Sequence, residues 1–228
     1  MQNIVLLHGA LGAAADLEPL TAALTGKGLT VHSFSFSGHG QTPFAAGFGI
    51  ETFAAELKHF IEHEKLQQPV VFGYSMGGFV ALYLASQQPG LIGSIVTLGT
   101  KFNWSAEAVE KETAGLEPGW MLEKIPAFAR SLELKQGAAW KELLARTADL
   151  MREIGARQFL SPGVLKTITT PVLLCIGDRD KMVTLEETIN VYKMLPKAAM
   201  YMLPDTKHPI ETANTELLAT LLTSRQPG

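Results

Sequence analysis

The chain has 228 residues, 46% hydrophobic and 18% charged, enough for one sizeable core with room for a small inserted subdomain. Its net charge of −3 and its scattered Lys and Arg exclude the basic stripe that grips nucleic acid or an anionic membrane, so neither is expected as a partner. One cysteine, Cys175, cannot form an internal disulfide.

Short apolar runs rich in Val, Ile and Leu recur along the chain, with longer stretches of helical periodicity between them. Strands are expected at residues 4–7, 29–36, 69–74, 93–98, 172–176 and 199–203. Helices are expected at 16–25, 51–66, 76–87, 185–195 and 210–222. In the second helix Phe53, Leu57, Phe60 and Ile61 space themselves as one buried face should. Cys175 falls inside the fifth strand and reads as a core residue. Met1-Gln2-Asn3 lacks a basic start and the apolar stretch 4–7 is far too short for a leader or a span, which makes the cytoplasm the expected compartment.

Strands that are apolar almost throughout, alternating with helices, argue for an α/β fold. The expected architecture is a mainly parallel sheet of about six strands, covered by helices on both faces. Ligands bind beyond the carboxyl ends of such strands, and every polar cluster of interest here follows a strand. Residues 101–161 break the rhythm: they hold helical stretches at 106–113, 121–132 and 138–154 and no convincing strand. That segment reads as a helical cap over a core formed by residues 1–100 and 162–228.

Gly73-Tyr74-Ser75-Met76-Gly77 fits G-x-S-x-G, between an expected strand and an expected helix. A serine on so tight a turn sits in a strained backbone conformation, so its neighbours must lack bulk. The turn lifts the hydroxyl clear of the sheet and points the helix's unbonded amides at a reacting carbon. The rival phosphate loop needs G-x-x-x-x-G-K-[ST], which the chain lacks.

With these motifs the sequence resembles the α/β-hydrolase superfamily over nearly its whole length. His8-Gly9-Ala10-Leu11-Gly12 resembles the first catalytic loop, and Ser37-Gly38-His39-Gly40-Gln41-Thr42 the "GHG" loop. Gly73 to Gly78 resembles the nucleophile elbow, Gly177 to Val183 the acid-bearing loop, and Asp205-Thr206-Lys207-His208 the histidine loop. The order Ser, Asp, His is the one such a family uses. Larger members carry two further strands ahead of the His8-Gly9 strand, so this chain looks like a compact version.

The resemblance implies a serine hydrolase in which Ser75 is the nucleophile. A hydroxyl needs a base, and six histidines compete. His59 and His63 read as solvent-facing, His32 lies early in a strand, and His8 and His39 resemble structural loop residues. His208 follows the last strand and precedes the last helix, which together with the loop resemblance makes it the base. Asp178 and Asp180 both follow the fifth strand; in resembling sequences the acid is usually the second, so Asp180 is taken as the acid and Asp178 as a turn former. Asp205 stands too close before His208 to serve. Resemblance places the oxyanion donors at the backbone amides of Ala10 and Met76.

A short cap holding Phe102, Trp104, Trp120, Met121, Phe128, Trp140, Met151 and Phe159 suggests an apolar pocket for a small or medium ester, hence a carboxylesterase. Haloalkane dehalogenases and epoxide hydrolases need an aspartate where Ser75 stands. A related menaquinone-pathway synthase places arginine where Phe79 stands, which speaks against a lyase of that kind. Cofactor-free haloperoxidases and C–C bond hydrolases share the serine triad and stay open. So does a receptor that keeps the triad without turnover. No H-E-x-x-H or paired cysteine suggests a metal, no cofactor is expected, and nothing reports the oligomeric state.

Overall fold

The computed structural model describes residues 3–224, so Met1 and Gln2, part of the stretch read for a leader, lie outside it. Six strands form one sheet among the described residues: β1 (Asn3–Leu7), β2 (Thr30–Ser33), β3 (Val70–Tyr74), β4 (Ser94–Leu98), β5 (Val172–Gly177) and β6 (Ala198–Leu203). They run in the order β2-β1-β3-β4-β5-β6 and every pair is parallel.

The two-residue period of the strands divides their side chains between two cores. Val5, Leu7, Val71, Ile95 and Leu174 face one core, shared with α2 (Ile50–His63) and α3 (Met76–Gln87). Ile4, Leu6, Phe72, Val96, Leu173 and Cys175 face the other, shared with α1 (Glu18–Gly26) and α10 (Thr215–Thr223). Each such side chain is almost wholly withdrawn from water, which contributes roughly 1.5–3 kcal/mol apiece. A one-residue slip in any central strand would exchange its two faces, so both cores fix the register.

Several expected elements shift at their ends, and three differ for reasons the structure shows. The second strand ends at Ser33 rather than 36 because the Phe36 amide donates to the His8 ring at 3.1 Å, drawing the chain away from the sheet edge. The helix expected at 121–132 is two helices, α5 (Pro118–Lys124) and α6 (Pro126–Gln136). Pro126 cannot continue the first of them, and it disfavours a helical conformation at Ile125 before it. The helix expected from 210 opens as a short 3₁₀ turn, Ile210–Thr212; α10 then starts anew under Asn214, whose side chain accepts from the Leu217 amide at 3.0 Å.

Between β4 and β5 the chain adds α4 (Ala106–Ala114), α5, α6, α7 (Trp140–Arg157) and the short α8 (Pro162–Leu165). Met121, Ala129, Leu132, Trp140 and Leu144 form a small core of their own within this insert. After β5, α9 (Leu185–Met194) leads to β6. Among the described residues no helix is long and apolar enough to cross a membrane.

The strand order dictates where a site can form. The chain leaves β1 in one direction to make β2, then crosses back to place β3 on β1's other side. The loops beyond β1 and β3 therefore diverge at the switch point between them, which leaves a crevice. Those two loops carry Ala10 and Ser75.

Candidate active site

Ser75 adopts φ 50° and ψ −114°, a left-handed conformation that costs a non-glycine residue about 1–3 kcal/mol. Its surroundings hold it there. The Ser75 amide donates to the Leu98 carbonyl at 2.8 Å, and the Ser75 carbonyl accepts from Thr100 Oγ1 at 3.0 Å and the Gly78 amide at 3.1 Å. A Cβ at Gly77 would lie 2.7 Å from the Leu7 carbonyl oxygen, and one at Gly73 would run into the Gly77–Gly78 backbone. The elbow's glycines are thus set by close packing of β1, β3 and α3.

His208 and Asp180 meet at 2.8 Å, His208 Nδ1 to Asp180 Oδ2. A carboxylate only accepts, so Nδ1 carries the proton and Nε2 presents its lone pair. Asp180 Oδ1 accepts from the amides of Met182 at 2.8 Å and Val183 at 2.9 Å, and its side chain is 1% exposed. Burial opposes ionisation, but the bonds from His208 and these two amides outweigh it and hold the carboxyl below its ordinary range. Gly99, at φ +60°, lets the chain after β4 pass the pair: a Cβ there would stand 3.3 Å from both Asp180 Oδ2 and His208 Nδ1.

Tyr74, one residue before the elbow serine, donates its hydroxyl to the His208 carbonyl at 3.0 Å. Burial, with Glu211 and Asp180 nearby, pushes its phenol above the ordinary value, so it remains a donor. It ties the histidine loop to the elbow, and the G-x-S-x-G pattern leaves that position open.

Ser75, His208, Ala10 and Met76 all line one cavity of about 380 Å³. Among the described residues no hydrogen bond joins the Ser75 hydroxyl to His208, and neither the Ala10 nor the Met76 amide donates to a protein acceptor. Unliganded sites often hold such a serine–histidine bond long, and it tightens when substrate arrives. Most of the wall is apolar, including Phe79, Trp104, Phe128, Leu150, Met151 and Ile154. Of the cap residues named from sequence, Trp104, Phe128 and Met151 reach this cavity. Met121 and Trp140 pack in the insert's own core, Phe102 and Phe159 against the main one, and Trp120 is exposed.

The other candidates have structural partners. Asp178 accepts from the Thr206 amide at 3.1 Å, and Asp205 lies exposed beside Arg179. His8 and His39 are fully buried neighbours, and His59 and His63 face solvent. His8 Nδ1 meets the Gly9 carbonyl at 2.7 Å, and Nε2 takes the Phe36 amide. Sequence reading missed Gln136, at the end of α6. It bonds the carbonyls of Leu11 and Gly12 and the amide of Gly40, reaching both loops on the active edge. It belongs to no motif that could have announced it. Among the described residues no cluster of His, Cys, Asp or Glu is placed to hold a metal ion.

The sequence profile of the alpha/beta hydrolase family matches residues 4–220. The chain belongs to the α/β hydrolase family. Over 96% of its length this α/β hydrolase is 25% identical to the uncharacterized hydrolase YugF of Bacillus subtilis, of which the match covers 87%. Over 42% of its length it is 32% identical to ethanol acetyltransferase 1 of Hanseniaspora uvarum, spanning 29% of that protein. In fold it is similar to a thermophilic esterase from Thermogutta terrifontis, with a TM-score of 0.80 at 20% identity, covering 98% of this chain and 89% of that one.

Proposed function

We propose that this α/β hydrolase is a serine carboxylesterase acting on small or medium neutral esters, with Ser75 as nucleophile, His208 as general base and Asp180 as its orienting acid. The observation that carries the reading is the 2.8 Å Asp180–His208 bond opening on the same cavity as Ser75. The partial similarity to an acetyltransferase and the whole-length similarity to a hydrolase support acyl chemistry of this kind.

In this mechanism Ser75 Oγ attacks the ester carbonyl carbon as its proton passes to His208 Nε2. Negative charge gathers on the carbonyl oxygen, where the Ala10 and Met76 amides donate to it; losing one such donor costs about 2.7–4 kcal/mol in the barrier. The imidazolium, held by Asp180, returns the proton to the departing alkoxide and leaves an acyl-serine. Water then gives a proton to His208 and attacks the acyl carbon; Ser75 leaves with that proton and a carboxylic acid is released. The apolar wall fits an uncharged acyl or alkyl chain, and a volume of about 380 Å³ limits its size.

The test is Ser75→Ala. Wild type should turn over p-nitrophenyl esters repeatedly and be labelled by a fluorophosphonate probe; the variant should lose both and keep its fold. Labelling that persists in the variant removes Ser75 from the role, and a wild type that binds esters without turnover makes the protein a receptor.

A further inference from the structure

The apolar wall of the cavity is interrupted at Ser75 and His208, at the Asp16–Lys135 ion pair, at Glu211, and where α4 and α7 of the helical insert reach it. Thr147, on α7, is 1% exposed, lines the cavity, and its hydroxyl has no protein partner. A threonine inside a helix ordinarily returns its hydroxyl to the carbonyl four residues back, and this one does not. Glu112, on α4, also lines the cavity with its side chain 10% exposed, and its Oε1 makes no hydrogen bond. Lys101 Nζ stands 3.4 Å from that oxygen as an ion-pair partner and donates instead to the Met182 carbonyl at 2.9 Å. A buried polar atom left without a partner is destabilising, and valine would fill Thr147's volume without that cost.

We infer that Thr147 and Glu112 form a polar subsite that selects esters whose otherwise apolar chain carries a hydroxyl group. The inference rests on the esterase reading for the position of the scissile bond. Charge decides the chemistry. Lys101 with Glu112, and Asp16 with Lys135 elsewhere on the wall, are neutral pairs, and Glu211 adds a negative charge. At this end a carboxylate in the substrate would therefore meet Glu112 and an ammonium would meet Lys101, each desolvated beside a like charge. A hydroxyl avoids both penalties: it donates to the Glu112 oxygen and accepts from the Thr147 hydroxyl. An unsubstituted chain leaves both atoms unbonded, as they already are, and so lacks this gain.

The experiment compares matched p-nitrophenyl esters, straight acyl chains of four to eight carbons with and without a hydroxyl at or next to the far end. In wild type, kcat/KM should favour the hydroxylated ester by about tenfold at one chain length, as one satisfied hydrogen bond allows. Thr147→Val should bring that ratio close to one while melting no lower than wild type, since it removes an unpaired buried hydroxyl. Glu112→Gln, which keeps an acceptor oxygen, should retain part of the preference. The corresponding methyl esters are also titrated into Ser75→Ala by calorimetry, where no turnover is needed. Tighter binding of the hydroxylated member there, abolished by adding Thr147→Val, supports the subsite even if wild type proves to hydrolyse nothing, an outcome that sinks the esterase reading alone. Equal binding and equal kcat/KM across every pair, or a preference untouched by Thr147→Val, overturns the subsite.

Discussion

Replacing Gln136 by leucine should damage both stability and catalysis, and the structure sets the scale of each. Gln136 is 4% exposed and its amide is fully engaged: Nε2 donates to Leu11 O at 2.7 Å and Gly12 O at 3.1 Å, and Oε1 accepts from Gly40 N at 2.6 Å. Leucine keeps the approximate volume and strands all three backbone groups. Three net hydrogen bonds amount to about 2–4 kcal/mol of folding free energy. The loop released is the one that carries the Ala10 amide, and it is not relaxed by itself, since Leu11 sits at φ 59°. Asp16 still ties it to α6 through Lys135 Nζ at 2.6 Å, so the loop should loosen rather than detach. A displacement of about 1 Å at a reacting centre costs on the order of 10²-fold in rate, less than outright loss of the donor. Urea unfolding reads the first effect, and kcat on a p-nitrophenyl ester reads the second, with KM changing little. A Gln136→Leu protein that unfolds at the wild-type urea midpoint with unchanged kcat would show that this clamp neither holds the fold nor aims the amide.

Asp180→Asn should lower kcat on the order of 10⁴-fold by favouring the wrong imidazole tautomer, while Asp178→Asn, whose carboxylate serves the Thr206 amide, stays within tenfold; the reverse ranking would exchange their roles. Stability should also fall in mild acid. Burial lowers His8 to about 4 and His39 to about 3, so the unfolded chain, titrating near 6.5, takes up protons first. Stability is full above pH 6.5 and declines below it, by roughly 2 kcal/mol per histidine at pH 5 at ~1.4 kcal/mol per unit. A urea midpoint constant from pH 7 to pH 5 would contradict the buried neutral pair.

Legibility in the sequence follows the distance over which each feature is decided. The elbow was readable because strand, serine and glycines occupy a few consecutive residues, and the clashes that forbid side chains at Gly73 and Gly77 arise within that turn or against the neighbouring strand. The helix α3 matches its expected span for the same reason. The place of Asp180 and His208 at the edge of the sheet was legible because a strand precedes each, but the strand also precedes Asp178, and only the family resemblance preferred Asp180. The early end of β2 escaped notice, being set by a ring on another strand's loop, 28 positions from Phe36. Gln136 was hidden more deeply, 125 positions from Leu11, at the end of a helix whose pattern describes only its own buried face. The same holds for the pocket's polarity. From sequence the cap was an inventory of aromatic and methionine residues, and folding sent half of them into cores, while a threonine and a glutamate on two different helices reached the cavity. Chemistry common to the family is written locally, where a turn must be built before anything can react. Selectivity depends on which faces of separate helices meet over that turn, and a heptad-scale pattern of apolar residues carries no record of the partner a hydroxyl lacks.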